Sequence, residues 1–209
     1  MAKLLYIEVS PRKERSASIA VAKEFLRAYT QARPADTVET LDLWATALPE
    51  FDGATINAKY NVLHGQPHSD AEMRAWGMVE KMCRHFAAAD KYLFSIPMWN
   101  FGIPYKLKHF IDLIVQPGLT FSFSPEKGYK GLLTGKPAVV IYSSGGEFPP
   151  DSPAKAYDFQ KPYMDLLLGF IGITEVQSIT AAPTLAAPDA VAGALNKAKQ
   201  QAAEIAGRF

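Results

Sequence analysis

The sequence predicts a doubly wound α/β fold, a parallel sheet with helices on both faces. Five short apolar runs alternate with amphipathic helical patterns, and no internal repeat or low-complexity tract interrupts them. Parallel neighbours need crossover connections, which are nearly always right-handed, and the helical segments between the runs supply them. With 209 residues, 48% of them hydrophobic, the chain is sized for one compact domain covering 1–209 without a linker.

The first run, KLLYIEV at 3–9, is an apolar strand halted by a Ser-Pro turn. From Ser18 onward Ile19, Ala22, Phe25, Leu26 and Tyr29 recur at helical spacing, while Lys23, Glu24 and Arg27 take the opposite face. TVETLDL at 37–43 is the second strand. Residues 49–69 carry a weaker pattern, with a helix expected near 55–63 and then a loop. The long helix DAEMRAWGMVEKMCRHFAAA has Ser69 as its expected N-cap and leads into the third strand, KYLFSIP at 91–97. Pro104 is expected in the first turn of the next helix, whose apolar stripe is Leu107, Phe110, Ile111 and Ile114. PAVVIYS at 137–143, a helix at 159–170, TEVQSIT at 174–180 and an alanine-rich helix from about Asp189 complete the alternation.

Composition excludes several functions. The 22 basic and 21 acidic residues are interspersed and leave a net charge of +1, so no long-range field gathers nucleic acid or an anionic membrane. Cys83 is the single cysteine and lies inside a helical pattern, which rules out a disulfide framework and a thiolate metal site. The start MAKLLYIEVSPRK has too short an apolar run for a signal peptide, and no run of about eighteen apolar residues could span a bilayer. A soluble cytoplasmic protein is expected. His64, His68, His85 and His109 are scattered, with no metal-ligand spacing, and Ser143 and Ser144 lack a G-x-S-x-G elbow.

Ligands of doubly wound sheets bind beyond the carboxyl ends of the strands, where strand order reverses. Three loops there draw attention. The loop after strand one, SPRKERSAS, has no glycine, and none occurs before Gly53, so neither a dinucleotide fingerprint nor a P-loop exists. Ser10, Ser16 and Ser18 instead suggest a small phosphate cradle at a helix N-terminus. One capping serine and two solvent-facing ones account for them equally well. After strand three, Met98, Trp99, Asn100 and Phe101 lie between two prolines, and Gly102 is expected to take a conformation barred to other residues. Such a loop suits a planar ligand, or an ordinary turn whose aromatics fill the core. After strand four, Gly145 and Gly146 permit either close backbone approach with successive N–H groups as a nest or a plain flexible turn. Together the three loops suit a phosphorylated planar heterocycle.

Across SPRKERSAS, PMWNFGIPYKLKHFID, GLTFSFSPEKGYKGLLTGKPAVVIYSSGG and LLGFIGI, nearly the whole chain, the sequence resembles the FMN-dependent NAD(P)H azoreductases and quinone reductases. The resemblance implies a flavodoxin-like five-stranded sheet of order 2-1-3-4-5 and one non-covalent FMN per subunit. It implies that Ser10, Ser16, Ala17 and Ser18 hold the FMN phosphate, that Met98, Trp99, Asn100 and Phe101 flank the isoalloxazine, and that Ser143, Ser144, Gly145 and Gly146 face its pyrimidine edge. A homodimer with two interfacial sites is also implied. Trp99 stands where the family commonly has tyrosine, and Ser144 where many relatives carry arginine; both bear on the acceptor pocket. The implied reaction is a two-electron ping-pong hydride transfer from NADH or NADPH to quinones, with reductive cleavage of aromatic azo compounds to amines. It is carried at flavin N5 without a catalytic side chain. Two alternatives share the fold: a flavodoxin-type electron carrier, which would rely on charge complementarity this near-neutral chain lacks, and a flavin-free scaffold.

Overall fold

The computed structural model describes residues 1–67 and 69–209; His68 lies outside the described residues. The strands are β1 (Lys3–Glu8), β2 (Thr37–Asp42), β3 (Lys91–Pro97), β4 (Phe121–Ser124), β5 (Gly128–Gly131), β6 (Ala138–Ser143) and β7 (Val176–Ala181). The helices are α1 (Ala17–Ala32), α2 (Gly53–Leu63), α3 (Asp70–Ala87), α4 (Tyr105–Ile114), α5 (Lys161–Ile171) and α6 (Pro188–Arg208).

Five strands form one parallel sheet in the order β2-β1-β3-β6-β7. The expected numbering 2-1-3-4-5 is corrected by an antiparallel hairpin, β4–β5, that intervenes in the chain before β6. Strand order reverses between β1 and β3, so the loops leaving these two neighbours diverge and open a crevice.

Because both faces are covered, the central strands are apolar throughout and successive side chains enter opposite cores. Leu5, Ile7, Phe94, Ile96 and Val140 pack with Phe86 of α3, Phe110 of α4 and Leu168 of α5. Leu4, Leu93, Val139 and Ile141 pack with Phe25 of α1 and with Ala202 and Ile205 of α6. Cys83 is buried on α3, and burial pushes its thiol up to about 12, which keeps it unreactive at neutral pH. Among the described residues no helix is long and apolar enough to cross a membrane.

Local signals fix the helix starts. Ser69 and Glu72 form a reciprocal capping box at α3, and the Asp52 carboxylate accepts the Thr55 amide at 2.9 Å to cap α2. Pro104 is the N-cap of α4, with φ −59° and ψ 142°, one residue before the helix rather than in its first turn. The hairpin docks backbone to backbone on the end of α5. A Cβ on Gly131 would lie 2.2 Å from the Gly172 amide nitrogen, and Gly172 itself, at φ 102°, ends the helix.

Candidate functional site

The loop after β1 enters α1 through Ser16, whose hydroxyl accepts the Ile19 amide at 3.4 Å. The amides of Ala17 and Ser18 belong to the first turn, where helix geometry provides no intrahelical acceptor, and the helix dipole adds positive potential. Ser10 is buried and lines the same cavity as Ser16 and Ala17, and its hydroxyl accepts the Arg12 amide at 3.3 Å. Lys13 turns the other way. It takes a left-handed φ of 47°, and its ammonium bonds Glu8 at 2.7 Å and also Asp42, while Arg12 and Arg15 border the cavity. Burial works against the Lys13 charge, but the two carboxylates outweigh it and hold its pKa above the ordinary value.

The loop after β3 is pinned to β6, where the Met98 amide donates to the Ser143 carbonyl at 2.7 Å. Trp99 and Gly102 exchange backbone hydrogen bonds of 2.9 and 3.0 Å around Asn100 and Phe101, which have φ of 47° and 69°. This is a two-residue turn with both central residues left-handed. The expectation for Gly102 is thereby corrected: the unusual conformation falls on Asn100, which tolerates it, and on Phe101, which does not tolerate it freely. The Trp99 ring packs against Trp44 and Tyr105, at centroid distances of 5.8 and 6.2 Å. Trp44 is itself fixed by its indole N–H donating to the Val9 carbonyl at 2.7 Å.

After β6 the Ser144 hydroxyl donates to the Gly146 carbonyl at 2.7 Å, folding the loop back on itself. The loop after β7 is strapped to it: the Thr184 amide and hydroxyl both donate to the Ser144 carbonyl, and the Leu185 amide to that of Gly145. Neither Gly145 nor Gly146 has a positive φ, so of the two readings of the pair the plain turn fits and the left-handed nest does not. The need for glycine at 145 is steric, since a Cβ there would lie 2.9 Å from Leu185 Cδ1.

These loops enclose a cavity of about 460 Å³. Ser10, Ser16, Ala17, Met98, Trp99, Ser143, Ser144 and Gly145 all line it, so eight of the expected site residues meet in one place. Four do not line it. Ser18 is fully buried behind Ser16, with the two hydroxyl oxygens 3.2 Å apart. Asn100 lines a separate cavity on the α4 side with Ile103 and His109, Phe101 faces out beside Tyr157, and Gly146 is exposed beyond the turn. Sequence reasoning missed the fourth wall, made by Pro183, Thr184 and Leu185 after β7. The signal was available, because this loop also leaves the carboxyl edge of the sheet. One end of the cavity offers hydroxyls, helix amides and two arginines to an anion, with Glu14 there paired to Lys23; the rest is walled by the loops after β3, β6 and β7.

A family model described as a flavodoxin-like fold matches residues 2–206. The FMN-dependent NADH:quinone oxidoreductase of Desulfotalea psychrophila is 52% identical over 206 residues, covering 99% of this chain and 97% of its own length. The enzyme of that description from Nitratidesulfovibrio vulgaris is 46% identical over 210 residues, covering both chains fully. Among solved structures, an azoreductase from Bacillus anthracis superposes with a TM-score of 0.92 at 30% identity, covering 100% of both chains. An FMN-dependent NADH-azoreductase from Bacillus anthracis in complex with FMN superposes at 0.87 with 28% identity, covering 99% of this chain and 100% of its own.

Proposed function

Because the chain belongs to the flavodoxin-like family of FMN-dependent NADH:quinone oxidoreductases and azoreductases, we propose that it is an FMN-dependent NADH:quinone oxidoreductase that also cleaves aromatic azo compounds to amines. The whole of 1–209 acts in this reading as one FMN-binding domain, in the cytoplasm, and pairs into a homodimer. The observation that carries it is the meeting in one cavity of a hydroxyl-rich helix N-terminus, the Met98–Trp99 backbone and the Ser143–Gly145 loop.

FMN fits the donor set. Its phosphate matches Ser10, Ser16, the amides of Ala17 and Ser18, and the positive charge of Arg12 and Arg15, while the one carboxylate on this lining, Glu14, is paired with Lys23. Ser18 supports Ser16 from behind. The isoalloxazine would rest against Met98 and Trp99, with Asn100 and Phe101 making the adjoining turn that the paired Trp99 and Gly102 bonds hold. Ser143, Ser144 and Gly145 would meet its pyrimidine edge, with Gly146 closing the turn behind them through its bond to Ser144.

Bound FMN supplies two-electron hydride chemistry from NADH or NADPH, which makes a catalytic side chain unnecessary. The chain's own part is positioning and charge. In this reading the backbone after β6 would meet the negative charge that collects on a reduced ring, and Trp99, packed against Trp44 and Tyr105, would form one wall of the cavity. The electron-carrier alternative is weaker, because the chain is near neutral and its relatives are named for their own oxidation of NADH.

The test is an absorbance spectrum after adding FMN and desalting, then anaerobic NADH, then benzoquinone. Retained yellow colour that bleaches and returns in that order is the expected result. Retained flavin that NADH alone leaves oxidised would overturn the reductase reading in favour of a carrier. Absence of retained flavin would overturn the cofactor assignment.

A further inference from the structure

Where β6 leaves the sheet, the successive carbonyls of Ser143, Ser144, Gly145 and Gly146 are all engaged. That of Ser143 accepts the Met98 amide at 2.7 Å, and that of Ser144 accepts both the amide and the hydroxyl of Thr184, at 2.9 and 3.0 Å. That of Gly145 accepts the Leu185 amide at 3.1 Å, and that of Gly146 the Ser144 hydroxyl at 2.7 Å. The amides behave differently. Among the described residues, those of Gly145, Gly146 and Glu147 donate to no protein acceptor.

In a planar trans peptide the carbonyl of one residue and the N–H of the next point in opposite directions. Capture of the Ser144 and Gly145 carbonyls by the loop after β7 therefore turns the Gly145 and Gly146 amides away from that loop. The segment presents donors while its acceptors are occupied, a polarity that suits a partner carrying negative charge. It does so without a left-handed residue at 145 or 146.

Thr184 controls the first of these peptides. One donor leaves a carbonyl's peptide plane free to tilt, because the angular preference at an sp2 oxygen is broad; a second donor from another direction removes that freedom. Both donors to the Ser144 carbonyl come from Thr184, which is half-buried and borders the same cavity as Ser144 and Gly145.

We propose that Thr184 is a positioning residue of the reductase site: its hydroxyl, by fixing the Ser144 carbonyl, aims the Gly145 amide at the ring edge where negative charge collects on reduced FMN. This inference rests on the proposed function. Its consequence is that the hydroxyl helps set how much more tightly the site holds reduced than oxidised FMN, which the midpoint potential reads directly.

The experiment measures the two-electron midpoint potential of bound FMN, by slow anaerobic reduction together with a reference dye, in the native chain, Thr184→Val and Thr184→Ser. Valine keeps the shape and the backbone donor but lacks the hydroxyl. Thr184→Val should hold reduced FMN about threefold less tightly relative to oxidised FMN, a fall of about 15 mV for a two-electron couple, and Thr184→Ser should keep the native potential. A residue that only supports the wall would weaken both forms alike and leave the potential in place. A Thr184→Val potential equal to the native one would therefore overturn the inference, and so would a Thr184→Ser potential that falls with it. Failure of the native chain to retain FMN would instead overturn the cofactor reading, and the inference with it.

Discussion

Lys13 stands between two arginines that border the cavity of Ser10 and Ser16, yet its ammonium joins Glu8 of β1 and Asp42 of β2. A left-handed non-glycine residue costs about 1–2 kcal/mol, and here the ion pairs hold it in place. Lys13 therefore shapes the loop that presents Ser10 and Ser16 without lining the cavity itself. Lys13→Met should weaken FMN about tenfold and leave riboflavin, which has no phosphate, unchanged, with Lys13→Arg recovering part of the loss; fluorescence quenching of both flavins checks this. Burial raises the Asp42 pKa, but Lys13 and the Trp44 amide outweigh it, and the net value lies below the ordinary 3.8. A depressed carboxyl contributes stability that is complete above its unfolded pKa and lost as pH falls through the folded one. Urea unfolding between about pH 2 and 5 should accordingly show a shallower acid loss in Asp42→Asn than in the native chain. The composition of SPRKERSAS made its charges readable but not their directions, since Glu8 and Asp42 become neighbours only through strand pairing.

At the scale of elements, the sheet and its helices were readable because each depends on local periodicity and on caps such as Ser69 with Glu72. The hairpin of β4 and β5 was not assigned. Its strands have four residues each, and what orders them lies elsewhere in the chain: Phe121 and Tyr129 rest on Phe170 of α5, and Gly131 lies against Gly172. The wall after β7 was missed for the same reason, being held by carbonyls of Ser144 and Gly145. The obstacle facing a side chain at 131 is backbone on both sides of the Gly172 amide, which cannot rotate away. Gly131→Ala should thus destabilise the fold by about 3 kcal/mol or more, measured as a lowered urea midpoint, where Gly169→Ala, with nothing within 4 Å of its Cβ, should not.

For the whole molecule, what remains uncovered matters more than what is packed. Phe123 and Tyr129 of the hairpin and Leu166 of α5 are 59%, 66% and 73% exposed. The rings of Phe123 and Tyr129 lie 4.9 Å apart, Tyr129 touches Phe170, and Leu166 is one helical turn from Phe170, so the three border one apolar face. Monomers seldom leave such a face bare, and a net charge of +1 opposes self-association little. This is the surface we assign to the proposed homodimer. Leu166→Glu should leave the circular dichroism spectrum intact, because the side chain already faces solvent, and should shift the sedimenting species from about twice the chain mass of 22.9 kDa to the single chain. A glutamate buried against a second copy loses its hydration without a partner, so the dissociation should persist at high salt, which screens long-range repulsion but does not repay desolvation. A variant that stays dimeric would place the interface on another face, and a native chain that sediments as a single copy would remove the dimer altogether.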